Sequence, residues 1–166
     1  MVCLSRFLCY LYPCCILAVA LMFPTSTFAS GVIGYGSRAG MEVTVVSMSG
    51  LDTTNAVIRT RHTRENAITF CREYVKKVTE GCIREELETR LNDEIMANCD
   101  TGLFTDFFGN TYQFKGINPE KDAMTKYVIV ELKTGQIADG SSASGYSLNM
   151  GLYQALCPRR APQDYY

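Results

Sequence analysis

Residues 63–99 read TRENAITFCREYVKKVTEGCIREELETRLNDEIMANC, the longest helix-patterned stretch of a 166-residue chain. How this stretch is divided decides the fold. Thr63 precedes Arg64-Glu65-Asn66, so its hydroxyl can cap the free N–H groups of a first helical turn. Ala67, Ile68, Cys71, Tyr74, Val75 and Val78 then recur at three- and four-residue spacing, one face of an α-helix. A second stripe, Ile83, Leu87, Leu91 and Ile95, is out of phase with the first. The step falls at Thr79-Glu80-Gly81, where Gly81 suits a left-handed C-terminal cap. The spacing therefore predicts two helices, 64–79 and 83–97, packed as a hairpin or sharply kinked. Arg84, Glu85, Glu86, Glu88, Arg90, Asp93 and Glu94 supply a mixed-charge outer face, which reads as solvated surface.

Upstream, Met1 to Ala29 reads as a secretory signal peptide. Arg6 gives a positive start, Phe7 to Phe23 is apolar without a charge, and Thr27-Phe28-Ala29 offers small residues at a cleavage site. Cleavage there leaves residues 30–166, one ordinary domain, with no stable membrane insertion. Losing Arg6 takes the net charge from −1 to about −2, which gives no electrostatic case for binding nucleic acid or an anionic membrane.

Cys3, Cys9, Cys14 and Cys15 leave with that leader, and Cys71, Cys82, Cys99 and Cys157 remain. An even number in an exported chain implies two disulfides. With helices over 64–79 and 83–97, neither Cys71–Cys82 nor Cys82–Cys99 can close, because each pair is separated by most of a helix. Elimination predicts Cys71–Cys99 with Cys82–Cys157.

The remaining segments alternate like strands. Met41, Val43 and Val45 oppose Glu42, Thr44 and Val46, and Ala56 to Thr60 returns after a turn at 49–55, forming a hairpin into the first helix. Leu103–Phe108 and Thr111–Lys115 flank Gly109-Asn110, a two-residue hairpin signal. That loop pairs Phe107 with Tyr112 and Thr105 with Phe114, leaving Phe104 and Phe108 on the opposite face, covered by the helices or exposed as an aromatic patch. Lys126–Lys133 is rich in β-branched residues, and a turn at Thr134-Gly135 would put Val130, Leu132 and Ile137 on one face. Asn149 can cap a last short helix through Leu152, Tyr153 and Leu156, and residues 158–166 read as a flexible tail.

Catalytic patterns are sparse. His62 is the only histidine, which excludes zinc sites built on paired histidines, and no phosphate loop or calcium loop is present. The glycines at 34, 36 and 40 precede a strand rather than open a helix, so they make no dinucleotide fingerprint. No metal or cofactor is expected. A hydrolase would have to join His62 to Ser141, Ser142 or Ser144 with Asp139, yet His62 reads as a surface or capping residue. Asp106 and Glu131 are a background pair of carboxylates. The remaining surface of interest is the small, polar loop from Asp139 to Tyr146 beside the aromatic hairpin. Its contact candidates are Asp139, Ser144, Gly145, Tyr146, Phe104 and Phe108.

Ser144-Gly145-Tyr146 is similar to the serine-glycine-tyrosine loop that some periplasmic lysozyme inhibitors insert into their target. The match is three residues long, and no site is carried over from it. More widely, Phe70-Cys71-Arg72-Glu73-Tyr74-Val75, Ala97-Asn98-Cys99, Gly140 to Tyr146 and Ala155-Leu156-Cys157-Pro158, in that order behind a signal peptide, resemble a group of small exported proteins of rhizobia-like bacteria. The resemblance implies export and a bacterial source, and no reaction. Together these readings predict an α+β domain, two central helices packed on antiparallel hairpins and stapled by disulfides. The expected role is a non-enzymatic periplasmic or secreted module that binds a protein or envelope component. A hydrolase using His62 with a loop serine and a structural envelope protein are the alternatives.

Overall fold

The computed structural model describes residues 31–164. The expected signal peptide, 1–29, lies outside them. Among the described residues no helix is long and apolar enough to cross a membrane. Seven strands run in sequence order across one curled antiparallel sheet: β1 (Val32–Gly34), β2 (Glu42–Ser49), β3 (Ala56–Arg61), β4 (Glu94–Asn98), β5 (Leu103–Thr105), β6 (Thr111–Ile117) and β7 (Tyr127–Glu131). Helices α1 (Arg64–Glu73) and α2 (Glu80–Leu87) are inserted between β3 and β4, and α3 (Tyr146–Leu156) follows β7.

The core lies between α3 and the concave sheet face. Strand alternation sends Val43, Val45, Ala56, Ile58, Ile95, Ala97, Phe104 and Ile129 inward, and Met150, Leu152, Tyr153 and Leu156 of α3 meet them. Tyr153 is the centre of an aromatic stack, its ring 4.7 Å from Phe114 and 5.4 Å from Phe104. A bulge at Val46 shifts the phase of β2, so Met48 rather than Ser47 packs on this core.

The α+β class and the first hairpin agree with the sequence, but the central stretch divides differently. Thr63 does cap α1, in a reciprocal box with Asn66. However, α1 stops at Glu73 rather than 79, because Lys76 turns left-handed with φ 61° and the chain reverses. Thr79 then caps α2, so Gly81 lies inside its first turn instead of ending a helix. The second predicted helix ends at Leu87, and its last part is β4. Ile95 and Ala97 alternate with Met96 there, and the backbone pairs with Ala56–Arg59 of β3. The two helices are therefore short and peripheral, with a small cluster of their own around Ala67, Cys71 and Ile83.

This corrects the disulfides. Cys71 sits two residues before the end of α1 and Cys82 in the first turn of α2, and the helical reversal brings their Cα atoms to 6.1 Å. Cys99 follows β4 and meets Cys157 at the end of α3, with Cα atoms 5.6 Å apart. The bonds are Cys71–Cys82 and Cys99–Cys157, not Cys71–Cys99 and Cys82–Cys157.

The aromatic hairpin is also out by three residues. Phe104, not Phe107, stands opposite Tyr112, and an odd shift exchanges the two faces. The connection is the five residues Asp106–Asn110 rather than Gly109-Asn110 alone. Asp106 organises them: its carboxylate accepts the Phe108 and Asn110 backbone N–H groups, each at 2.8 Å, and the Asn110 side chain at 2.8 Å. The C-terminal segment is not a free tail up to Asp164. Arg159 pairs with Asp52, Arg160 with Asp100 and Lys126 with Asp164, and Ala161 is buried.

Candidate functional site

At one end of the concave sheet face, α3 begins and the core stops. β7 places Tyr127, Ile129 and Glu131 in the inward phase, and its last inward residue is a carboxylate instead of an apolar side chain. Glu131 stands opposite Tyr112 of β6. Around this pair a polar cavity of about 250 Å³ opens, lined also by Asn110, Gln136, Ala138, Ala143 and Ser144. Asn110, at the end of the 106–110 loop, stands in one wall, and Ala143 and Ser144, at the end of the 139–144 loop, in the other.

Hydrogen bonds fix both walls. Tyr112 donates to Asp106 at 3.3 Å and bonds Asn149, which is buried in α3. Burial, before any charge effect, raises the Tyr112 phenol above its usual range, so it is a neutral hydroxyl at physiological pH. In the other wall Asp139 accepts the Ser141 N–H at 2.9 Å, and hydrogen bonding from Ser141 holds its carboxyl below the usual range. The Ser144 hydroxyl donates to the Ser141 carbonyl at 2.8 Å. Gly145 then enters α3 with φ 67°, a left-handed conformation that costs glycine nothing and makes it the pivot between loop and helix.

The six predicted contact residues separate. Ser144 lines the cavity, while Asp139 is exposed and shapes the loop beside it. Gly145 is a backbone pivot. Tyr146 and Phe104 are only 3% and 1% exposed, in the core, and present nothing to a partner. Phe108 is exposed, but it leans on Tyr35 at 6.4 Å, on the flank toward His62. Asn110, Glu131 and Gln136 were missed. The signal for Glu131 was an acid in the inward phase of an otherwise apolar strand. The background carboxylates Asp106 and Glu131 do converge on Tyr112, although both oxygens of Asp106 are engaged within the loop. A second recess of about 240 Å³, on the outer face of β3 to β5, is lined mainly by apolar groups such as Val57, Met96 and Leu103. It has no titratable group.

His62 is not on the surface. It packs edge-on against Tyr35 at 5.5 Å, and its Nε2 lies 3.8 Å from a Glu86 oxygen that also accepts the Tyr35 hydroxyl. Neither ring nitrogen makes a hydrogen bond, so nothing joins His62 to a serine. Burial lowers the His62 pKa from 6.5 and raises that of Glu86 from 4.5. The unfolded chain therefore takes up the His62 proton first as pH falls, and stability is lost from about pH 6.5 downward through the folded pKa. Glu86 acts oppositely, its contribution fading as pH rises through its raised pKa. His62→Gln should remove the histidine part. Its unfolding midpoint in urea should gain on the parent protein between pH 8 and pH 5.5. Parallel pH profiles for the two proteins would show that His62 is not held neutral.

No protein-family model, curated protein or solved structure matches this chain.

Proposed function

We propose that the chain is an exported binding module, not an enzyme, that engages a protein or envelope component through the polar cavity at the Glu131 end of the sheet. The cavity carries this reading: rigid elements present polar groups there, and two internally bonded loops hold its rim. Two disulfides and the signal-like leader support a periplasmic or secreted location, because such bonds persist in oxidising compartments. The resemblance to small exported proteins of rhizobia-like bacteria belongs with the same reading. A catalytic role through His62 has less support, since its neighbours are Tyr35 and Glu86.

A photo-crosslinking residue at Ala143, which is exposed at the cavity rim, should capture a discrete adduct in cells. The same residue at Glu88, exposed at the end of α2, should capture none. No adduct from Ala143, or equal capture at both positions, would remove the reading.

A further inference from the structure

The hydrogen-bond valences of the cavity say what kind of group completes it. The Tyr112 proton is directed at Asp106, the Asn110 amide N–H at Asp106, and the Ser144 proton at Ser141. The single protons of Tyr112 and Ser144 are thus engaged inside the protein, while Asn110 at the cavity lining keeps its carbonyl oxygen and one further amide N–H. Glu131 adds a full carboxylate. One of its oxygens accepts the Thr134 hydroxyl at 2.8 Å, and no Lys or Arg among the described residues pairs with it or lines the cavity. Among the described lining residues the uncommitted side-chain donors are neutral amides, those of Gln136 and the second N–H of Asn110.

From this juxtaposition of an unpaired Glu131 carboxylate with the acceptor ends of Asn110 and Ser144, we infer that the cavity receives an ammonium or guanidinium group. Such a cation brings the charged donors that the walls lack and neutralises Glu131, forming charge-assisted hydrogen bonds. An anion would face the Glu131 carboxylate with only neutral amide N–H groups to bond it. The inference rests on the binding-module reading and names the chemistry its partner presents: a basic side chain of a protein, or a free amine.

The test is titration of the 15N-labelled, disulfide-bonded protein, read at the side-chain amides of Asn110 and Gln136. The probes are acetyl-Gly-Arg-Gly-amide, acetyl-Gly-Lys-Gly-amide and putrescine. Controls are the citrulline tripeptide, which keeps the shape of arginine without its charge, and acetyl-Gly-Glu-Gly-amide. The cations should shift both amides, and higher salt should weaken them. Glu131→Gln retains the shape and can still accept the Thr134 bond, but it should lower affinity about tenfold or more. A tighter peptide than putrescine assigns the site to a protein side chain, and the reverse order assigns it to a free amine. Equal binding of the citrulline or glutamate peptide, or an unchanged affinity in Glu131→Gln, overturns the inference. If no probe shifts these amides while Ala143 still captures a partner, the ligand chemistry is wrong and the binding surface stands.

Discussion

Replacing Cys99 and Cys157 together by serine should lower stability by about 4 kcal/mol. The bond closes a loop with a sequence separation of 58, and the cost of leaving that loop open in the unfolded chain grows with the logarithm of its length. Both sulfurs are buried, and they join the end of β4 directly to the end of α3, the two layers that enclose the core. Serine at these positions would also bury two hydroxyls where the pair had needed no hydrogen bonds. The Cys71–Cys82 bond spans a separation of 11, for which the same argument predicts about 3 kcal/mol. Its effect should also be local, because the α1–α2 pair has its own small cluster rather than a share of the main core. Urea unfolding of the two double-serine variants gives the order, and amide exchange gives the place. A larger loss for the Cys71/Cys82 variant, or exchange spreading evenly through the sheet in it, would contradict this division.

Asp106→Asn should cost about 3 kcal/mol, although it removes a single charge and almost no volume. The carboxylate accepts from the Phe108 and Asn110 backbones on one oxygen, and from the Asn110 side chain and Tyr112 on the other. All four partners are donors. An amide has one oxygen, so two of them would face its NH2 group in a position that is 6% exposed. The loss should appear in the loop at 106–110 before the rest of the sheet. The side-chain amide signal of Asn110 should move as it leaves its place at the cavity rim. An Asp106→Asn protein with the parent's unfolding midpoint would mean that the carboxylate does not hold this loop.

The loop illustrates where reading the chain stopped short. Gly109-Asn110 looks like a two-residue turn, and local propensity alone favours it. The alternative, a five-residue loop around Asp106, has four hydrogen bonds to one carboxylate, and it lets Phe104 and Phe107 both reach the core. Neither advantage is visible until the strands are paired. Two contact candidates moved for the same reason: Phe104, which the sequence leaves either covered by the helices or exposed, and Tyr146, from a loop that reads as surface, are both buried by packing against α3 or within it. Ser144 and the loop around it were legible because small polar residues cannot build a core. Glu131 was legible in principle, as an acid in the apolar phase of its strand.

By itself the sequence determined the local features: the Thr63 cap, the β2–β3 hairpin, the strand character of Tyr127–Glu131 and the final helix about Leu152 and Leu156. Each depends on neighbours a few residues apart. Tertiary structure alone decided that Ile95 belongs to a strand, which cysteines pair, and that Asn110, Tyr112, Glu131 and Ser144 share one cavity. For Ile95 the helical and extended patterns coincide over so short a run, and the choice falls to β3, whose backbone groups it satisfies. Cysteine pairing follows from where helices end, and that depends on a reversal at Lys76 that no periodicity announces.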